Sequence, residues 1–163
     1  MYSCNVPVPP ELSRLARGLA DECFDATARD RHTLVVKRLG DGTPANLARR
    51  IRSALAGAAP FEARASAIGV FRTPPVGRGP VAYLRVDAPP ILEMHHTLCE
   101  TFEPIDGIEG DDYVPHVTIA RGGDADRLTG REFEPITWTV NSLSIWSADY
   151  GETVERLSLP VRK

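Results

Sequence analysis

Apolar positions along this chain follow two rhythms. Leu12, Leu15, Ala16, Leu19 and Cys23 recur at three and four, the spacing of one helix face, and Pro10 suits the first turn of a helix running from Glu11. Thr43 followed by Pro44 predicts a capped second helix with Leu47, Ile51 and Leu55 on its apolar face and Gly57 as its stop. Pro89-Pro90 opens a third, on which Ile91, His95, Leu98 and Phe102 share one side. Between these lie short β-branched or alternating runs that predict strands: residues 3–8, 33–36, 61–71, 81–86 and 113–121. A closing hairpin is expected from residues 136–146 and 154–161, and one helical turn over 124–128. Glu103 to Asp112, rich in acids and Gly, is expected to be a solvated loop, and it lacks the ordered ligand spacing of a calcium loop.

The order is β-α-β-α-β-β-α-β-(α)-β-β, which points to an α+β fold with helices outside one or two antiparallel sheets. With 163 residues and no visible linker or repeat, one domain over 1–163 is expected. Each half carries a strand bearing His and Thr, then a helical stretch, then paired strands.

Composition narrows the function. At 42% hydrophobic and 25% charged the chain is of ordinary globular type. Its net charge of −3 argues against a general nucleic-acid coat but permits a local basic pocket. Seventeen of the 19 cations are Arg, the better bidentate phosphate partner. Cys4, Cys23 and Cys99 are odd in number and widely spaced, so neither a disulfide framework nor a zinc site is indicated, and Cys23 and Cys99 read as small buried hydrophobes. The N-terminus does not read as a secretory signal and no stretch reads as a membrane span, so a reducing cytoplasm is the expected location.

The four histidines carry the chemistry. His116 and Thr118 lie two apart on an expected strand and share a face, while Val117 and Ile119 point to the core. An imidazole beside a hydroxyl can handle a proton and a phosphoryl oxygen together, and Arg121 trails the pair. His32 begins another expected strand, 84 positions earlier. His95 and Thr97 repeat the spacing on a helix, where residues two apart diverge by about 200°, so they share no wall. His95 reads as core-facing and satisfied, His96 as surface.

Pro115-His116-Val117-Thr118-Ile119 resembles the second motif of the 2H phosphoesterase superfamily, which includes RNA 2′,3′-cyclic phosphodiesterases, also called 2′-5′ RNA ligases. His32-Thr33-Leu34-Val35 with Lys37 to Gly40 resembles the first, and the element order extends the likeness over most of the chain. The resemblance implies two pseudo-twofold-related lobes around a central cleft that brings the motifs together. It implies His32 and His116 as acid and base, and Thr118, Thr33 and a nearby Arg, for which Arg121 is the candidate, as the grip on the phosphate oxygens. The reaction implied is hydrolysis of a 2′,3′-cyclic phosphate to a 2′-phosphate with no metal or cofactor. RNA ends or small cyclic-phosphate nucleotides are the implied partners, and a monomer is the default. The family pattern is His-x-Thr, whereas Thr33 follows His32 directly. Either a bulge turns both side chains inward, or Arg31 and Thr33 share the face and His32 is displaced. A non-catalytic RNA-end or nucleotide-binding module, or a phosphoesterase on another small cyclic phosphate, are the competing readings. Phe71, Arg72, Tyr113 and Trp146 are candidates for stacking on a base.

Overall fold

The computed structural model describes residues 1–162. In chain order the elements are β1 (Tyr2–Val6), α1 (Pro10–Ala20), β2 (Thr27–Ala28), β3 (Leu34–Gly40), α2 (Pro44–Ala54), β4 (Phe61–Phe71), β5 (Val81–Asp87), α3 (Pro89–Cys99), β6 (His116–Arg121), β7 (Ile136–Val140), β8 (Ser142–Ser147) and β9 (Glu152–Ser158). Short 3₁₀ turns cover Gly110–Asp112 and Ala125–Leu128. The fold is α+β, with two antiparallel sheets ordered β3-β1-β8-β9 and β2-β6-β5-β4-β7.

Each helix begins with Pro in its first turn, where the missing N–H costs nothing. Thr43 caps α2 by accepting a hydrogen bond from the Asn46 N–H. The helices tie the sheets together by crossing over. α1 leaves the first sheet and packs on β6 of the second, whereas α3 leaves the second and packs on β3 of the first; α2 covers β9. Leu12, Ala16, Leu47, Ile51, Ile91 and Leu98 are fully buried by this packing. The opposite faces of the two sheets are left to line a cleft.

Several expectations change. The first strand ends at Val6, and Cys23 lies beyond α1. Residues 136–146 form two strands in different sheets, β7 beside β4 and β8 between β1 and β9. Polar–apolar alternation runs on through Asn141, and it reports which residues face apart, not which sheet receives them. The strand expected from Tyr113 starts at His116. Of the cysteines, Cys4 is the buried one, its thiol pushed up to about 12 by burial, while Cys23 and Cys99 are half-buried.

The acid-rich loop is not simply solvated. Glu109 is 4% exposed and Lys37 is 0% exposed. Lys37 Nζ donates to Glu109 Oε1 at 2.7 Å and to the carbonyl oxygens of Arg38 and Glu103, while Glu109 accepts from the backbone N–H of Arg38 and of Ile105. The loop is thereby stapled to β3. His95 holds its other end: Nδ1–H donates to Val36 O at 2.6 Å and Nε2 accepts from the Gly110 N–H at 2.9 Å. It is the satisfied core histidine expected from helix periodicity, and His96 is exposed.

Candidate functional site

β6 is built to aim three side chains one way. His116 and Thr118 are half-buried on the cleft face, with Val117 and Ile119 fully buried behind them. The register slips between Ala82↔Ala120 and Tyr83↔Thr118, leaving Ile119 as an extra residue. Ile119 and Ala120 are therefore buried in succession, and Arg121 returns to the face of His116 and Thr118. Strict alternation would have sent Arg121 to the core. β3 carries a comparable slip, where Asn5↔Val35 and Cys4↔Lys37 leave Val36 extra, so that Val35 and Arg38 share the cleft side.

These residues line a recess of about 230 Å³, with His116, Thr118 and Arg121 on one wall and Val35 and Arg38 on the other. His116 Nδ1 lies 2.6 Å from Val114 O. A carbonyl only accepts, so Nδ1 carries the hydrogen, and in the neutral ring Nε2 is the nitrogen with the lone pair. Burial pushes the His116 pKa below its ordinary value, and the Arg38, Arg29 and Arg121 charges act in the same direction, with the Val114 hydrogen bond as a partial offset. These effects favour the neutral imidazole, the form a base must have.

An aromatic pair adjoins the recess, with Phe71 in its lining and Tyr83 buried behind. Phe71 and Tyr83 stack with ring centroids 4.2 Å apart and 24° between planes, and His116 stands edge-on to both at 5.4 and 5.3 Å. The Tyr83 ring lies over Gly69, where a Cβ would collide with it. Tyr83 had no motif to mark it. Its place follows from pairing opposite Thr118 on the neighbouring strand. Of the stacking candidates, Phe71 lines this recess, and Tyr113 reaches it only while stacked on His95 at 3.8 Å, with its hydroxyl bonded to Val35 O. Arg72 is exposed and pairs with Asp126 at 3.5 Å.

Arg121 also borders a larger cavity of about 790 Å³, lined by Thr33, Arg29, Arg31, Arg78 and Trp146 among others. Thr33 and Trp146 in turn border a third recess of about 220 Å³, which holds His32. Arg31 and Thr33 thus share the central cavity while His32 faces the adjoining one, the second of the two registers the His-Thr adjacency left open. The reason is that residues 31–33 precede the hydrogen-bonded part of β3, which begins at Leu34. His32 Nδ1 is buried without a hydrogen-bond partner, and burial, then the Arg17 and Arg29 charges, lower its pKa. Among the described residues, no group of three or more His, Cys, Asp or Glu is placed to hold a metal ion.

Comparison with known proteins agrees with this architecture. No curated protein matches the sequence. Among solved structures, a Thermus thermophilus protein, TT0787, superposes with a TM-score of 0.64 at 20% identity, covering 97% of each chain. Escherichia coli LigT superposes in its apo form (TM-score 0.64, 14% identity, 96% of this chain and 95% of that one) and in complex with 3′-AMP (0.64, 16%, 98% and 97%). At such identities the likeness is one of fold. The family comes from the sequence itself, because the model of the 2′-5′ RNA ligase superfamily matches residues 8–152, a span that contains both sheets' cleft strands and every candidate residue above. The chain belongs to the 2′-5′ RNA ligase superfamily, consistent with its 2H phosphoesterase-like motifs and fold.

Proposed function

We propose that the protein is a metal-independent phosphodiesterase that opens terminal 2′,3′-cyclic phosphates of RNA or small nucleotides to 2′-phosphates. The observation that carries this reading is the alignment of His116, Thr118 and Arg121 on one wall, with His116 Nδ1 engaged by the Val114 carbonyl and its pKa lowered by burial. His116 takes a proton from water as the water oxygen attacks phosphorus, the bond from phosphorus to the 3′-oxygen breaks, and that oxygen is protonated as it leaves. Thr118 and Arg121 hold the non-bridging oxygens, where charge develops, and Thr33 is the proposed third contact, from the adjoining cavity that Arg121 also borders. A 5′-hydroxyl in place of water gives a 2′-5′ linkage by the same steps. A second LigT complex contains NADP+, which carries a 2′-phosphate, the class of product proposed here.

The second histidine of the motif pair, His32, is the proposed donor to the leaving oxygen, but it lies in the neighbouring recess across Thr33. That placement favours a second reading, a nucleotide-end binding module without turnover. Hydrolysis of adenosine 2′,3′-cyclic phosphate in the presence of EDTA separates the two. Turnover with a 2′-phosphate product is expected, reduced by about 10²–10⁴-fold in His116→Ala, the range for loss of a general acid or base. An equal loss in His32→Ala supports the two-histidine mechanism. No turnover in the unaltered protein leaves the binding module.

A further inference from the structure

The central cavity is more basic than a single cyclic phosphate requires. Arg29, Arg31, Arg78 and Arg121 all line it, against one acid, Asp30. None of the four has a carboxylate within ion-pair distance among the described residues, so what sets them apart is their placement around one cavity. Four guanidiniums around one cavity against a single carboxylate leave an excess of positive charge, which a bound anion offsets. The excess registers on Arg121, whose pKa is lowered by burial and then by Arg29.

The geometry keeps these groups apart from the His116 recess yet adjoining it. Arg121 lies at the junction, and its Nη1 donates to Val76 O at 3.0 Å and Arg78 O at 3.1 Å, so it holds the 72–80 loop over the cleft. The Arg78 guanidinium lies against Gly122, where a Cβ would displace it. Arg31 stands two residues before Thr33, as His116 stands two before Thr118. A guanidinium stays protonated at any working pH, so at that place it can bind an anion but cannot exchange a proton. A volume of about 790 Å³ falls within the ~300–1,000 Å³ usual for small-molecule sites.

We propose that Arg29, Arg31 and Arg78 form a second anion subsite, which receives a phosphoryl group on the 5′ side of the nucleoside whose 2′,3′-phosphate lies against His116 and Thr118. This rests on the phosphoesterase reading for the orientation of the substrate. The preferred substrate is then a nucleotide with at least two phosphoryl groups, either a 5′-phosphorylated mononucleotide or an RNA end with its upstream phosphodiester.

Titration calorimetry tests the subsite without turnover, so that it can succeed or fail independently of catalysis. The probes are adenosine 2′-phosphate, adenosine 2′,5′-bisphosphate and the dinucleotide ApA bearing a 2′-phosphate. Tighter binding of the second or third over the first, by tenfold or more at low salt, is expected. The bisphosphate arm reports a mononucleotide source and the dinucleotide arm an RNA end. The ratio should fall to about threefold or less in Arg29→Ala and in Arg31→Ala, both exposed positions whose replacement spares the core. Equal affinity for all three probes, or a preference that survives both substitutions, overturns the proposal.

Discussion

His116 shows how far one residue's chemistry is set by its surroundings. In water an imidazole titrates near 6.5. In the recess, burial and three guanidiniums hold it neutral to lower pH. For a base that must be neutral to act, kcat/KM should fall on the acid side with a midpoint below about 6.5. Arg38 exerts the largest of the three charge effects, so Arg38→Gln should move that midpoint upward, toward the free value. A pH–rate profile of the two proteins checks this, and an unmoved acid limb would count against His116 as the titrating group. The His116–Thr118 pair was legible in the sequence because strand alternation puts residues two apart on one face. Arg121, three beyond Thr118, reaches that face only through the bulge at Ile119. Tyr83 was not legible, because the strand that neighbours another is chosen by long-range pairing.

At the scale of elements, the loop between α3 and β6 is fastened to β3 by Lys37 and Glu109. Burial alone would raise the Glu109 pKa, but Lys37 and the N–H groups of Arg38 and Ile105 outweigh it and hold the carboxyl below its ordinary value. Removing one partner leaves a buried charge unpaired, so Lys37→Met should cost about 3–5 kcal/mol of unfolding free energy by urea titration. Composition alone marked this loop as solvated, because an acid count cannot reveal that one carboxylate has a buried cation waiting 72 residues upstream. Gly69 supports the recess in a similar way, by leaving room for the Tyr83 ring that backs Phe71. With Gly69→Ala, the Tyr83 ring must leave its stack on Phe71. Circular dichroism should show the fold retained while KM for adenosine 2′,3′-cyclic phosphate rises several-fold; an unchanged KM would show that Phe71 does not bear the base.

For the whole molecule, His32, His95 and His116 all have pKa values lowered first of all by burial. Below about pH 6.5 the unfolded chain takes up protons that the folded one refuses. Stability should therefore be fully present above that pH and decline as pH falls toward the depressed folded values, with Glu109 adding a further loss at lower pH. Urea midpoints measured between pH 8 and 5 check the slope, and His95→Gln should flatten it if Gln fills the site. A bound product acts in the other direction: adenosine 2′-phosphate at 100 times its Kd adds about 2.7 kcal/mol, which for a domain of this size corresponds to roughly 5–11 °C in Tm. The helices, most strands and the His116–Thr118 wall were determined by the sequence alone, because periodicity and caps are local. No helix among the described residues is long and apolar enough to cross a membrane. Long-range packing set which strands became neighbours and how the bulges turned them. That placed Arg31 with Thr33 in the central cavity and His32 beyond it, and it gathered arginines scattered over 93 positions, from Arg29 to Arg121, around one cavity. Such convergence depends on contacts between distant segments, which no local pattern of residues records.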